Sequence, residues 1–370
     1  MIPLNDFRRQ WEDTRDAAMA AFADLGSSGW YILGRELAAF EAALAHLWGI
    51  PYAVGVASGL DAIELSLKAL GCGPGDRVLT TPVSAFATTL AIVKLGAVPV
   101  FTDTDAAGNI DLDLCRALLA QRSDIRFFVP VHLYGHPLDM RKLAALARDF
   151  DCRIVEDCAH SIGASHEGVF TGTAGHMAAT SFYPTKNLGA MGDGGAVLTT
   201  DRELAQRVRM LRDYGQSAKD VHTLVGYNSR LDELHAAFLR RVGLEWLPKW
   251  MAARCRNASA YVSGISHPAI RVRGVPPGAR SSWHLFPVWV EPERRPDFMR
   301  WLNDSGVMCA GHYPIPIPEQ PVMADVPFEM AAEIPIARRL CRSEVTLPVH
   351  PYLTEAEVAQ VIEACNAWKG

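Results

Sequence analysis

Thr180-Ser181-Phe182-Tyr183-Pro184-Thr185-Lys186-Asn187-Leu188-Gly189-Ala190-Met191-Gly192-Asp193-Gly194-Gly195-Ala196-Val197-Leu198 places one lysine between a short apolar strand and a run of glycines. Thr180 to Tyr183 alternates like a strand, and Pro184 ends it by removing a backbone donor. Gly189, Gly192, Gly194 and Gly195 let the chain turn and approach another group closely before Ala196 to Thr199 resumes as a strand. A lysine held between two buried strands is desolvated, which lowers its pKa toward the neutral amine that can condense with an aldehyde. Ser181 and Thr185 add hydroxyls suited to a phosphate. The competing reading is a solvated lysine in a glycine-rich turn.

Working outward, Cys152 to Asp157 reads as a strand ending in two acids, Glu156 and Asp157, which alternation sends to opposite faces. An acidic pair in a solvated turn is the alternative. Ala53 to Ala57 reads as a buried strand that Ser58-Gly59-Leu60-Asp61 turns into a helix from Ile63 to Leu70. Strand, glycine turn and helix N-terminus together make an anion site, unless Asp61 is simply a helix cap. Strands near Val78–Pro82 and Val98–Phe101, with a helix between them starting near Phe86, imply parallel crossovers. Phe127 to His132 is a further strand, and its carboxyl end places His132 where ligands bind in open α/β sheets, as a sugar contact, a proton shuttle or a structural histidine. Between Gln216 and Val225 a polar loop carries Lys219 and His222, candidates for a diphosphate or simply a solvated surface.

Composition narrows the class. With 370 residues, 49% hydrophobic and 21% charged, the chain has ample material for a large domain and a smaller one. A formal net charge of −5 leaves no electrostatic footprint for nucleic acid. The eight cysteines are scattered without zinc-ligand spacing, so no metal site is expected and the thiols read as reduced in a cytoplasmic protein. The N-terminus has no apolar signal core, and no run approaches a membrane span. Leu231 to about Tyr261 reads as one or two helices leading to a second domain. That domain has a strand at Trp283–Val290, a helix at Pro296–Asn303, a return strand near Val307–Cys309, and helices from Pro335 and Thr354.

The words SFYPTKNLGAMGDGGA, EDCAHS and GYNSRLDELHAAFLR, in that order, resemble the DegT family of nucleotide-sugar aminotransferases over nearly the whole chain. The resemblance implies an α/β protein of the pyridoxal 5'-phosphate (PLP) fold type I. Its large domain, residues 1–244, would hold a seven-stranded, mostly parallel sheet and an N-terminal helical segment, followed by a small α/β domain, residues 245–370. It implies PLP cycling with pyridoxamine 5'-phosphate, anchored on Lys186, with Asp157 protonating the ring nitrogen and Lys186 moving the proton during transfer. The cofactor phosphate falls to Ser58, Gly59, Leu60 and Asp61. Many relatives have threonine where this chain has Leu60, so a hydroxyl contact there is lost while backbone contacts remain. Phe86 matches an aromatic that stacks on the cofactor, and His160 a position beside its ring hydroxyl that is often glutamine. Asn228 matches an asparagine reaching across a homodimer interface to the partner's phosphate, so the active sites would be shared. Tyr31, in the Ser27–Gly34 loop, lies at that interface by the same resemblance or packs on its own domain. Arg230 either pairs with a substrate carboxylate or is structural. His312 and Tyr313, in the proline-rich Gly311–Pro318 stretch, resemble a loop that closes over the nucleotide sugar.

The wording is most similar to the branch acting on dTDP-3-keto-6-deoxyhexoses, with L-glutamate as amino donor. A 4-keto sugar or keto-cyclitol acceptor and a noncatalytic sensor are the alternatives. A sugar dehydratase of the same fold is disfavoured because such relatives replace the lysine with histidine.

Overall fold

The computed structural model describes all residues, 1–370. Its centre is an eight-stranded sheet. Strands β1 (Tyr52–Val56), β2 (Arg77–Thr80), β3 (Val98–Phe101), β4 (Ile125–Val129) and β5 (Arg153–Asp157) are joined by Met177–Ser181, Gly195–Thr199 and Glu329–Met330. Across the sheet the order is β1, 195–199, 177–181, β5, β4, β2, β3, 329–330. From 177–181 to the far edge every pairing is parallel, and 195–199 runs antiparallel to both its neighbours. Seven strands come from the first 199 residues, as expected; the eighth is a two-residue strand lent by the C-terminal region.

Both faces of this sheet are covered, so its strands are apolar on both sides rather than alternating with polar residues. Val54, Val78, Phe127 and Val155 pack on one face with helices α3 (Gly59–Ala69) and α4 (Phe86–Lys94). Their chain neighbours Leu79, Phe128 and Ile154 pack on the other with residues 112–121 and 140–149. Helices α1 (Phe7–Ser28) and α2 (Arg35–Trp48) each stop at a glycine in the left-handed region, Gly29 and Gly49. The N-terminus of α2 is closed from a distance: the Glu233 carboxylate accepts from the N–H groups of Gly34, Glu36 and Leu37.

The long helical stretch predicted from Leu231 is Glu233–Phe238, one π-helical turn at Leu239–Gly243, and Leu244–Gly264. Beyond it a three-stranded antiparallel sheet forms from Arg271–Val272, Phe286–Trp289 and Glu344–Leu347. The return strand is therefore Glu344–Leu347, not Val307–Cys309. The latter makes a single bridge, Val307 to Ile2, and the bridge to Thr346 is made by the residue that follows it, Ala310. Ile2 shares a core with Tyr261, Phe286, Phe298 and Trp368, so the first residues of the chain pack against the last third. The polar Gln216–Val225 loop is a small hairpin, Gln216–Ala218 with Val221–His222. No helix is long and apolar enough to cross a membrane.

Candidate active site

Parallel pairing of β5 with 177–181 sets Asp157 beside Ala179, so the acid and the chain leading to Lys186 leave the sheet together at its carboxyl edge. The turn after the strand is tight. The Lys186 N–H bonds the Tyr183 carbonyl at 2.8 Å, and a Cβ on Gly189 would sit 2.4 Å from the Pro184 carbonyl oxygen. Lys186 is half-buried, with part of its surface open to a cavity. Burial lowers its pKa from 10.5 to about 8, against the opposite pull of Asp157. Asp157 is itself buried and held above the usual carboxylate range by desolvation, partly offset by the Ala159 N–H, the Thr88 hydroxyl and Lys186. Thr88 donates to Oδ2 at 2.8 Å and Ala159 N to Oδ1 at 3.1 Å.

Glu156 goes to the opposite face, as strand alternation requires. Its Oε1 accepts from Ala174 and Gly175, and its Oε2 accepts from Gly172 and lies 2.9 Å from His132 Nε2. This corrects the expectation for His132. The residue is fully buried, its Nδ1 accepts the Leu138 N–H and its Nε2 is committed to Glu156, so it is a structural histidine with no nitrogen left for a sugar or a proton.

The cavity beside Lys186 encloses about 420 Å³, and its wall includes Tyr183, His160, His284, His312 and Tyr313. Three imidazoles thus face one lysine. His160 and His284 lie 4.3 Å apart between ring centres, and burial drives both well below the usual histidine pKa, with Lys186 adding to the effect. His284 Nδ1 donates to Asn187 Oδ1 at 3.3 Å, because the Asn187 amide is spent on the Ser282 carbonyl. His160 Nδ1 is buried with no partner in the chain. Thr88, His284, Asn187 and the cavity-lining Asn5 were not singled out from sequence. Only Thr88 carried a signal, lying in the first turn of α4, two residues after Phe86.

At the N-terminus of α3, Ser58 rather than Asp61 is the cap, its hydroxyl accepting the Asp61 N–H at 3.0 Å. The helix accordingly starts at Gly59, four residues earlier than expected. The N–H groups of Gly59 and Leu60 have no helix carbonyl to bond and are available to an anion. Asp61 accepts from the Ser229 hydroxyl at 2.6 Å. Close approach is built in: a Cβ on Gly59 would lie 2.6 Å from the Ser181 Cβ, and one on Gly195 would lie 2.3 Å from the Ser58 carbonyl oxygen. Ser58, Gly59 and Ser181 therefore converge on one spot at the strand ends.

Phe86 is half-buried and packs toward Phe101, Ile317 and Met323. Tyr31, Lys219, His222 and Asn228 are exposed. Arg230 donates to Asp213 at 2.9 Å and lies over the Tyr214 ring, an intrachain role.

The donor set fits PLP. A lysine whose pKa is lowered to about 8 suits the aldehyde, the buried Asp157 with lone pairs to spare suits a pyridine nitrogen, and the α3 N-terminus with Ser181 suits the phosphate. Together with the mostly parallel sheet, these features define a fold type I PLP enzyme. The chain belongs to the DegT/DnrJ/EryC1/StrS aminotransferase family, whose pattern matches residues 12–366. It is 40% identical to dTDP-3-amino-3,4,6-trideoxy-alpha-D-glucose transaminase of Streptomyces venezuelae, over 99% of this chain and 96% of that protein. Among solved structures it is similar to S. venezuelae DesV, with 40% identity, a TM-score of 0.93, and 99% and 98% of the two chains covered. It is also similar to NtdA of Bacillus subtilis, solved with bound cofactor PMP, with 28% identity, a TM-score of 0.86, and 95% and 81% covered.

Proposed function

We propose that this aminotransferase moves an amino group from L-glutamate to a nucleotide-linked keto sugar, a dTDP-3-keto-6-deoxyhexose, with PLP as cofactor. The observation that carries this reading is the pairing of Lys186, its pKa lowered to about 8, with a buried Asp157 at the carboxyl ends of adjacent strands. The sugar and its nucleotide are supported by the name of the 40% identical transaminase.

When bound, PLP supplies an aldehyde for covalent attachment and a ring that withdraws electrons from the donor's α carbon. In this reading the Lys186 Nζ provides the attachment point and then, released as a neutral amine, takes and returns the proton at the α carbon. Asp157 keeps a proton on the ring nitrogen, and Thr88 with the Ala159 N–H fixes its orientation. Gly59, Leu60, Ser58 and Ser181 hold the phosphate, and Phe86 and His160 flank the ring. His312 and Tyr313 approach the sugar from the C-terminal region, which we take as a small domain beginning near residue 245.

Tyr31, Lys219, His222 and Asn228 are assigned to a partner subunit's site in a homodimer. Their own-chain exposure fits that role, as do the exposed apolar side chains of Trp30, Ile32 and Val225. Arg230 then holds the Asn228 segment rather than a substrate. We place the enzyme in the cytoplasm.

An absorbance spectrum of the PLP-loaded protein tests the reading, before and after L-glutamate. Loss of the visible band with growth in the near ultraviolet is expected, followed by its return with a dTDP-3-keto-6-deoxyhexose. Amination of only 4-keto sugars or keto-cyclitols would overturn the substrate class. Colour indifferent to every amino donor would overturn catalysis and favour a sensor.

A further inference from the structure

We propose that Glu344, Thr346 and His312 form a proton relay that opens into the Lys186 cavity at His312 Nε2. It takes up the proton that an incoming amino donor loses from its ammonium group. The proposal rests on the aminotransferase reading.

The three side chains are joined by the strand Glu344–Leu347. The backbone of Thr346 pairs with that of Ala310 in both directions, at 2.8 and 3.3 Å, which brings His312 alongside. Glu344 and Thr346 are buried, each about 1% exposed. The Thr346 hydroxyl bonds Glu344 Oε1, and His312 Nδ1 lies 2.9 Å from Thr346 Oγ1. Glu344 Oε2 accepts the His312 backbone N–H at 2.7 Å, so the same carboxyl holds the backbone of the residue whose ring it reaches through Thr346. Arg295 is close, but its Nε is spent on the Glu344 backbone carbonyl at 2.6 Å. With Nδ1 turned to Thr346, Nε2 is the ring nitrogen left for the cavity that Lys186 shares.

Polarity follows from donor counting. An ionised Glu344 can only accept, so Thr346 donates to it, Oγ1 accepts from Nδ1–H, and Nε2 carries a lone pair. A protonated Glu344 reverses each bond and leaves a proton on Nε2. One cycle therefore balances: the donor's N–H bond breaks as Nε2–H forms, Nδ1–H passes to Oγ1, and the Thr346 proton passes to Oε1. The nitrogen keeps its electron pair and becomes a nucleophile, and no imidazolium remains.

The extension beyond His312 has a physical reason. Burial and Lys186 hold His312 down at about 4, so alone it cannot keep a proton near neutral pH. Burial raises Glu344 to about 7, where it can. The groups facing the relay are Lys186, His160, His284 and Tyr313 on the His312 side. On the Glu344 side they are Arg295, Tyr134, Cys309 and Cys341. Burial keeps the phenols and thiols protonated and His160 and His284 neutral, which leaves Lys186 and Arg295 as the charged neighbours.

The test combines ¹⁵N-imidazole NMR of the cofactor-free full chain with stopped-flow spectra of the PLP-loaded enzyme mixed with L-glutamate, both from pH 6 to 9. Subtraction of a His312→Asn spectrum assigns the His312 signal. His312 should be the Nδ1–H tautomer above about pH 7 and the Nε2–H tautomer below it. Thr346→Val and Glu344→Gln should abolish that switch and slow the glutamate step about tenfold or more. Thr346→Ser, which restores the hydroxyl, should keep both the switch and the rate within about threefold of wild type. A Thr346→Val enzyme with the wild-type rate and pH profile would overturn the relay, as would Thr346→Ser failing as badly as Thr346→Val. Amine transfer without a tautomer switch sinks the relay alone. A switch in a protein that transfers no amine sinks the proposed function and leaves the wiring standing.

Discussion

Glu156 and Asp157 are neighbours in the chain, both buried, at the end of the same strand, yet they face two different kinds of surroundings. On one side, four donors converge on the Glu156 carboxylate: three backbone N–H groups and His132. On the other, Asp157 receives one hydroxyl and one N–H and looks toward Lys186. A saturated carboxylate fastens a loop. An unsaturated one keeps lone pairs and charge for something that arrives. The comparison separates scaffold from chemistry without appeal to sequence, because donor supply, not burial, divides the two acids.

The sharpest break in this comparison comes from the Asp157 side. Lys186→Ala should lower turnover by about a thousandfold or more, measured as product formed per enzyme, since the proposed function gives this lysine both the attachment and the proton transfer. Next, Asp157→Asn should still bind PLP but lose about a hundredfold or more in kcat, with little change in melting temperature. Glu156→Gln should do the opposite. Its NH2 replaces one of the two oxygens and so opposes either the Ala174 and Gly175 N–H groups or the Gly172 N–H and His132, costing about 2–3 kcal/mol in urea unfolding while kcat per folded enzyme stays near wild type. If Glu156→Gln removed activity without loss of stability, the division between the two faces would fail.

The lysine supplies a test with a pH signature. Between about pH 8 and 10.5 the unfolded chain holds a proton on Lys186 that the folded chain has lost, so stability rises with pH across that window. Below pH 8 both states are protonated and the burial penalty is at its full value, about 2–3 kcal/mol when cavity water is allowed for. Cofactor-free Lys186→Met should therefore be more stable than wild type at pH 7 by about that amount, and the difference should vanish above pH 10.5. Equal stability at pH 7 would mean the lysine is well solvated. The smallest effect is expected at Thr88→Val, which removes one of two donors from Asp157 and should cost about tenfold in kcat, read by steady-state rates.

Much of this was legible in the chain itself. The strand β5, the glycine run after Lys186 and the glycine turn at Ser58 follow local rules, and the structure places each within a few residues of the expected bounds. What local pattern could not convey was long-range supply of hydrogen bonds. His132 sits at a strand's carboxyl end, where ligands are expected, and only the arrival of Glu156 and the Leu138 N–H reveals that it is spent. His284 and Thr346 come from stretches with no distinctive spacing, and their significance depends on a partner more than 30 residues away. The strand expected at Val307–Cys309 failed for the same reason. Its one bridge joins Val307 to Ile2, and the next residue, Ala310, turns to a different segment at Thr346, so no ladder forms.

The eighth strand gives the molecule a history as well as a shape. Until Glu329 and Met330 have been synthesised and laid down, β3 presents an open row of amide and carbonyl groups, a template on which another emerging chain can pair. When the strand docks, Glu329 also binds Arg77 and Arg122, fastening the edge with charge. Ile2 likewise waits for Gly306 and Met308 to take up its backbone bonds. A nascent chain from this gene thus carries an unfinished border for most of its time on the ribosome, and a truncation before residue 329 leaves that border permanently exposed to aggregation.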